Sequence, residues 1–130
     1  MSAPAVRVHD RRSSPATFVE EVLQGLAARP KRIAPKYFYD ERGSRLFDAI
    51  CELPEYYPTR TEMAILESCA DEVARLAGSG CTLIELGSGA SRKIRLLLET
   101  LRPRHYLGVD ISREFLIESA RRLAADYPWL

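Results

Sequence analysis

Through residue 77 the apolar positions recur at helical spacing, and beyond residue 80 the pattern changes to short apolar runs divided by turns. Ser14-Pro15 pairs an N-cap residue with a proline at the first helical position. Phe18, Val22, Leu23 and Leu26 then share one face, and the helix should end by Arg29-Pro30, because a residue before proline disfavours the α region. Residues 30–43 hold two prolines and three aromatic residues and read as an extended segment held by its rings. Ser44 is expected to cap a short helix with Leu46, Phe47 and Ile50 facing inward. After Pro54-Glu-Tyr-Tyr-Pro58, Thr59-x-x-Glu62 has the form of a capping box. It would open a helix with Ile65, Leu66, Cys69, Val73 and Leu76 on one stripe, ending at Gly78-Ser-Gly80.

Residues 81–86 then predict a strand, 91–102 a helix with Ile94, Leu97, Leu98 and Leu101 facing the core, and 105–109 a second strand. Ser112 caps a last helix reaching about Ala125, with Phe115, Leu116, Ala120 and Leu123 as its apolar side. Alternating strand and helix indicate an α/β fold with a parallel sheet. The expected organisation is a disordered tail over 1–13, a helical and aromatic cap segment over 14–80, and the first half of a Rossmann-like domain over 81–130. Two strands are fewer than a doubly wound sheet requires, so the chain reads as the N-terminal part of a longer protein with an incomplete parallel sheet.

Composition narrows the picture only in places. Nineteen basic and eighteen acidic residues give a net charge of +1, which supplies no drive toward nucleic acid or an anionic membrane surface. The local run Arg29-Pro-Lys-Arg32, with Lys36 nearby, reads as a solvated linker. Three cysteines without a C-x-x-C spacing, Cys51, Cys69 and Cys81, read as reduced thiols of a cytoplasmic protein, with Cys69 and Cys81 in the core. His9 and His105 are too far apart to suggest a metal site. No apolar run approaches the ~20 residues of a membrane span, and no secretory signal is visible.

The candidate chemistry centres on Thr82-Leu-Ile-Glu-Leu-Gly-Ser-Gly-Ala-Ser91, a strand feeding a helix through a glycine turn. Gly87 and Gly89 permit a sharp turn or a close ligand approach, and Ser91 is a suitable N-cap. Asp110, ending the second strand, lies about 20 residues past the loop, where an acid can take both hydroxyls of an adenosine ribose. Arg92 stands where a dinucleotide fingerprint has its third glycine. That argues against a nicotinamide or flavin enzyme and leaves adenosine ligands without a pyrophosphate, of which S-adenosylmethionine is the common one. Glu85, just before the first glycine, fits the same reading. Lys93 falls in the first helical turn, where a cation is unfavourable. It is either a solvated lysine or a partner for the carboxylate of an amino-acid-like ligand. Tyr37, Tyr39, Tyr56 and Tyr57 lie in two proline-flanked segments. They either seat the helical layer on the sheet or form a lid whose phenols close a pocket.

Four stretches carry a family resemblance: Pro35-Lys-Tyr-Phe-Tyr-Asp-Glu-Arg-Gly-Ser44, Leu46-Phe-Asp48, Leu53-Pro-Glu-Tyr-Tyr-Pro-Thr-Arg-Thr-Glu62, and Glu85-Leu-Gly-Ser-Gly-Ala-Ser91 with Lys93. Together they closely resemble the N-terminal portion of the L-histidine Nα-methyltransferases, which make trimethylhistidine (hercynine) for ergothioneine biosynthesis. The resemblance covers roughly residues 15–130. It implies an S-adenosylmethionine-dependent enzyme, monomeric at full length, acting on an amino acid, with no nucleic-acid or membrane partner. It further implies that Gly87 and Lys93 bind the cofactor, Lys93 through the methionyl carboxylate, and that Asp110 binds the ribose. Tyr56 would line the junction of cofactor and substrate amine, and Tyr39 would sit near that amine and influence successive methylations. Glu85 and Gly89 complete the expected cofactor set. Two rival expectations stand beside this one: a family member methylating another amino acid, and a non-catalytic cofactor-binding remnant.

Overall fold

The structure, a computed structural model, describes residues 6–11 and 15–130. Along these residues run α1 (Pro15–Ala27), a 3-10 helix (Pro35–Phe38), α2 (Glu41–Ile50), α3 (Pro58–Ala77), β1 (Thr82–Leu86), α4 (Arg92–Leu101), β2 (His105–Val109) and α5 (Arg113–Asp126). β1 and β2 pair in parallel, with Leu83 opposite Tyr106 and Glu85 opposite Gly108. Parallel neighbours need a crossover, and α4 supplies it. The result is the expected α/β arrangement, a helical N-terminal layer leading into the start of a Rossmann-like domain.

The core lies where α4 and α5 cover one face of this sheet. Ile94, Leu98, Leu123 and Tyr127 are buried together, with Leu83, Leu97 and Tyr106 packed against them. Trp129 meets Tyr127 edge-on at 5.7 Å, and the Arg102 guanidinium lies 4.6 Å over the Trp129 ring. These contacts seal the lower end of the core. The other face of the sheet carries Ile84, Leu86, Leu107 and Val109, all exposed, Leu86 at 80%. Since strand side chains alternate between faces, one apolar set is inside and the other is open among the described residues.

Several local expectations need correction. Ser44 does not cap α2. The helix begins at Glu41, and the Asp40 carboxylate caps it by accepting from the Gly43 N–H at 2.7 Å. Ser44 is instead buried inside the helix, while Leu46, Phe47 and Ile50 are exposed. Thr59-x-x-Glu62 makes no capping box. Pro58 already occupies the first helical position behind Tyr57, which caps α3 without a side-chain bond. Of the expected α3 stripe, Leu66, Cys69 and Val73 are half-buried, whereas Ile65 and Leu76 are exposed and Ala70 is the buried residue. On α1, Phe18, Leu23 and Leu26 are exposed. Residues 30–43 are not wholly extended, since the 3-10 helix interrupts them.

The sequence expectation for Ser14 lies outside the described residues. Of the expected tail, residues 6–11 have no regular secondary structure, and Asp10 pairs with Arg113 at 2.9 Å. Cys51, Cys69 and Cys81 are free thiols, all half-buried, so Cys69 and Cys81 stand at the margin of the core.

Candidate functional site

The loop from Gly87 to Ser91 turns sharply because Gly87 (φ 71°), Gly89 (φ 49°) and Ser91 (φ 53°) are all left-handed. Glycine adopts that conformation without cost; at Ser91 it is uncommon and marks a loop held by its surroundings. Ser91 does stand at the N-cap of α4, but its side chain makes no capping bond. The end of β2 holds the loop. The Val109 carbonyl accepts from the N–H groups of Gly87 (2.7 Å) and Ser88 (3.2 Å), and the Ser88 carbonyl accepts from Ser91 at 2.8 Å. Asp110 completes the tie. One carboxylate oxygen accepts from the Gly89 N–H and the other from the Ser112 N–H, both at 2.9 Å.

A cavity of about 630 Å³ opens above this loop. Tyr39, Tyr56, Glu85, Gly87, Gly89, Lys93 and Asp110, the seven residues singled out from sequence, all line it. Tyr39 comes from the junction of the 3-10 helix with α2, and Tyr56 from the turn before α3. Phe47 stands between them, its ring 6.1 Å from Tyr39 and 6.0 Å from Tyr56, edge-on to each. Tyr37 lies apart, its hydroxyl donating to Glu21 at 2.7 Å, and Tyr57 is exposed. Two of the four tyrosines therefore belong to the cavity wall.

The placement of Tyr39 and Tyr56 has a backbone cause. A Cβ at Gly43 would fall 1.7 Å from the Phe38 carbonyl oxygen, so only glycine lets the 3-10 helix lie against the first turn of α2. Arg60, in the first turn of α3, folds back and donates to the carbonyls of Leu53 (2.9 Å), Pro54 (2.6 Å) and Tyr56 (3.4 Å). A planar guanidinium can bridge carbonyls in this way, and a lysine ammonium cannot reproduce the fork.

Charge on the floor and rim is paired. The Glu85 carboxylate accepts from the Tyr106 hydroxyl at 2.6 Å. Burial raises the Glu85 pKa, the Tyr106 bond and the Lys93 charge oppose the rise, and Asp110 adds to it. Burial, then the Glu85 contact, pushes the Tyr106 phenol well above its ordinary value. Lys93 Nζ lies 2.9 Å from each oxygen of Glu62 on α3. Arg92 pairs with Asp48 at 3.5 Å and with Glu52. Both cations of the first turn of α4 are thus met by acids of the helical layer. Among the described residues no cluster of histidine, cysteine, aspartate or glutamate could hold a metal ion, and no helix is long and apolar enough to cross a membrane.

The family model described as histidine-specific methyltransferase, S-adenosylmethionine-dependent, matches residues 18–130. The chain belongs to this methyltransferase family. It is 46% identical over 112 residues to the histidine N-alpha-methyltransferase of Mycolicibacterium smegmatis, covering 83% of this chain and 35% of that protein. It is 33% identical over 129 residues to the N-methyltransferase fsqC of Aspergillus fumigatus, covering 95% of this chain and 35% of that protein. Ergothioneine biosynthesis protein 1 of Neurospora crassa is 44% identical over 91 residues, or 67% of this chain and 10% of that protein. The chain therefore spans about a third of the length of the first two of these methyltransferases.

Phe47 and Glu62 line the cavity, and Arg60 and Tyr106 brace residues that line it, Tyr56 and Glu85; the sequence alone points to none of the four as site residues. Helical spacing points Phe47 to the core, and the spacing of Thr59 and Glu62 has the form of a cap. Tyr106 does carry a signal, since a tyrosine on the strand beside an acid-bearing strand can satisfy that acid when the register allows.

Proposed function

We propose that this chain carries the cofactor corner and part of the substrate wall of an N-methyltransferase that acts on the α-amine of L-histidine and yields trimethylhistidine. The observation that supports the reading most is the convergence of Tyr39, Tyr56, Glu85, Gly87, Gly89, Lys93 and Asp110 on one cavity. The hydrogen bonding of the loop supports the choice of cofactor. The N–H groups of Gly87, Ser88, Gly89 and Ser91 are engaged within the protein, which leaves fewer loop donors for a phosphate. A ligand with a ribose but no pyrophosphate suits it. Each Asp110 oxygen accepts one backbone N–H and keeps a further lone pair for a ribose hydroxyl.

S-adenosylmethionine, when bound, supplies an electrophilic methyl group on a sulfonium sulfur. The residues of this chain bind and orient. Asp110 holds the ribose, Lys93 meets the methionyl carboxylate, and Gly87 and Gly89 leave the backbone open to close approach. Glu85 shapes the floor of the corner through Tyr106. Tyr56, steadied by Phe47 and Arg60, lines the junction with the substrate amine. Tyr39 stands at the amine and passes its proton on through water, keeping the lone pair free between successive methylations. Rate enhancement comes from alignment and exclusion of water rather than from a covalent intermediate. The substrate is a small molecule, and the place of action is the cytoplasm.

A second reading, N-methylation of a different amino acid, is favoured by the likeness to the fungal N-methyltransferase along 95% of the chain. The intact protein, incubated with S-adenosylmethionine and each of the common amino acids, decides between them by mass spectrometry. Trimethylhistidine is the expected product. Methylation of another amino acid with histidine untouched would replace the first reading by the second. Binding of S-adenosylhomocysteine without any methyl transfer would leave a cofactor-binding remnant.

A further inference from the structure

We infer that Glu62 receives the ammonium at the amino-acid end of the cofactor, beside the carboxylate that the proposed function gives to Lys93. The inference deepens the proposed function and rests on it. Both residues line the cavity, Glu62 from the second turn of α3 and Lys93 from the first turn of α4. Lys93 Nζ lies 2.9 Å from both Glu62 oxygens, across 31 residues of sequence. The pair is open to an incoming ligand, with side-chain exposures of 42% for Lys93 and 53% for Glu62.

The other acids of the cavity are already engaged. Glu85 accepts from Tyr106, Asp110 accepts from two backbone amides, and Asp48 faces Arg92. Among the described residues, Glu62 is bound only to Lys93, the cation assigned to the ligand carboxylate. A lone carboxylate entering beside Lys93 would meet the negative charge of Glu62. A zwitterion avoids that repulsion by placing its ammonium against Glu62, so that charges alternate around a four-membered ring. The hydrogen-bond inventory allows it, since an ammonium has three donors and a carboxylate about four acceptor sites. Selectivity for an amino-acid-bearing adenosine thioether would then come from one residue on each layer of the fold.

Calorimetry on the intact protein tests this with three probes: S-adenosylhomocysteine, its analogue lacking the α-amino group, and 5′-methylthioadenosine, which lacks the whole amino-acid end. Glu62→Gln is expected to weaken S-adenosylhomocysteine by roughly three- to tenfold, to leave 5′-methylthioadenosine unchanged and to strengthen the desamino analogue. Lys93→Gln is expected to weaken both carboxylate-bearing probes. Glu62→Asp, with its shorter reach, is expected to give an intermediate loss, and a circular dichroism melt verifies that each variant is folded. Unchanged or tighter S-adenosylhomocysteine binding by Glu62→Gln would overturn the inference. So would a wild-type protein that binds 5′-methylthioadenosine as tightly as S-adenosylhomocysteine, although adenosine recognition would survive that result. Binding of neither compound to the wild-type protein would overturn the inference and the cofactor reading together.

Discussion

Tyr106 donates a 2.6 Å hydrogen bond to Glu85, joining the two paired strands on the covered face of the sheet. Gly108, opposite Glu85, makes the contact possible. A Cβ there would lie 2.9 Å from the Tyr106 hydroxyl and 3.2 Å from the Ser88 hydroxyl. Removing the phenol leaves a half-buried carboxylate without this donor. Tyr106→Phe should therefore destabilise the protein by about 1–3 kcal/mol, measured by urea denaturation. Glu85→Gln combined with Tyr106→Phe should cost less than the Tyr106 change alone, because no charge is then stranded.

The same burial sets a pH dependence. Burial raises the Glu85 pKa above its ordinary 4.5, so the folded state holds the proton more tightly than the unfolded state. Between the unfolded value and the raised folded value, the folded protein binds more protons, and stability falls as pH rises. The decline starts near pH 4.5 and is complete above the folded pKa. Glu85→Gln should flatten that segment of the stability curve, read from denaturation midpoints across mildly acidic pH. An identical slope in wild type and variant would place the titration elsewhere.

Asp110 joins loop and helix as well as facing the cavity. Asp110→Ala should abolish S-adenosylhomocysteine binding and loosen residues 87–91. Asp110→Asn, which retains a single carbonyl acceptor, should keep one of the two backbone bonds and bind measurably but weakly. Calorimetry and amide hydrogen exchange over the loop read the two effects separately. Unchanged affinity in Asp110→Ala would remove the ribose assignment.

Arg60 holds the turn that presents Tyr56. Arg60→Ala should cost about 1 kcal/mol of stability and accelerate amide exchange over residues 53–57. Its loss of methyl transfer should be large in the wild-type background and small when Tyr56→Phe is already present. Arg60→Lys should restore little, since three carbonyls require the fork. Equal losses in the two backgrounds would show that Arg60 acts independently of Tyr56.

Gly43 is confined by the Phe38 carbonyl. Gly43→Ala should destabilise by about 1–3 kcal/mol, the usual cost of forcing extra volume into a packed contact. A thermal melt measures it, and Tyr39 should lose its edge contact with Phe47 in the variant. A melting temperature at or above that of the wild-type protein would sink this account.

Much of the corner could be read before any coordinates. The strand, glycine turn and helix over residues 82–101 follow from a short apolar run, two glycines and a clean helical stripe of Ile94, Leu98 and Leu101. These signals are local, and so they survive without tertiary knowledge. Local signals mislead where two of them compete. Asp40 and Ser44 are both good caps four residues apart, and the 3-10 turn ahead of α2 decided for Asp40. Pro58 moved the start of α3 ahead of Thr59, which left Glu62 free to meet Lys93. That partnership spans 31 residues and leaves no periodic trace. Helical spacing also placed Phe47 in the core, because periodicity cannot separate a residue facing a core from one facing a cavity.

The tie between Gly89 and Asp110 has a consequence for the cost of closing the loop. It closes a ring across only 21 residues, and the Val109 carbonyl and the Cys81 carbonyl, which accepts from the Arg104 N–H at 2.9 Å, close the same ring beside it. Closures this short carry a small entropic cost and form quickly. The loop over residues 87–91 is thus tied to the sheet through closures shorter than the 31 residues that separate Lys93 from Glu62.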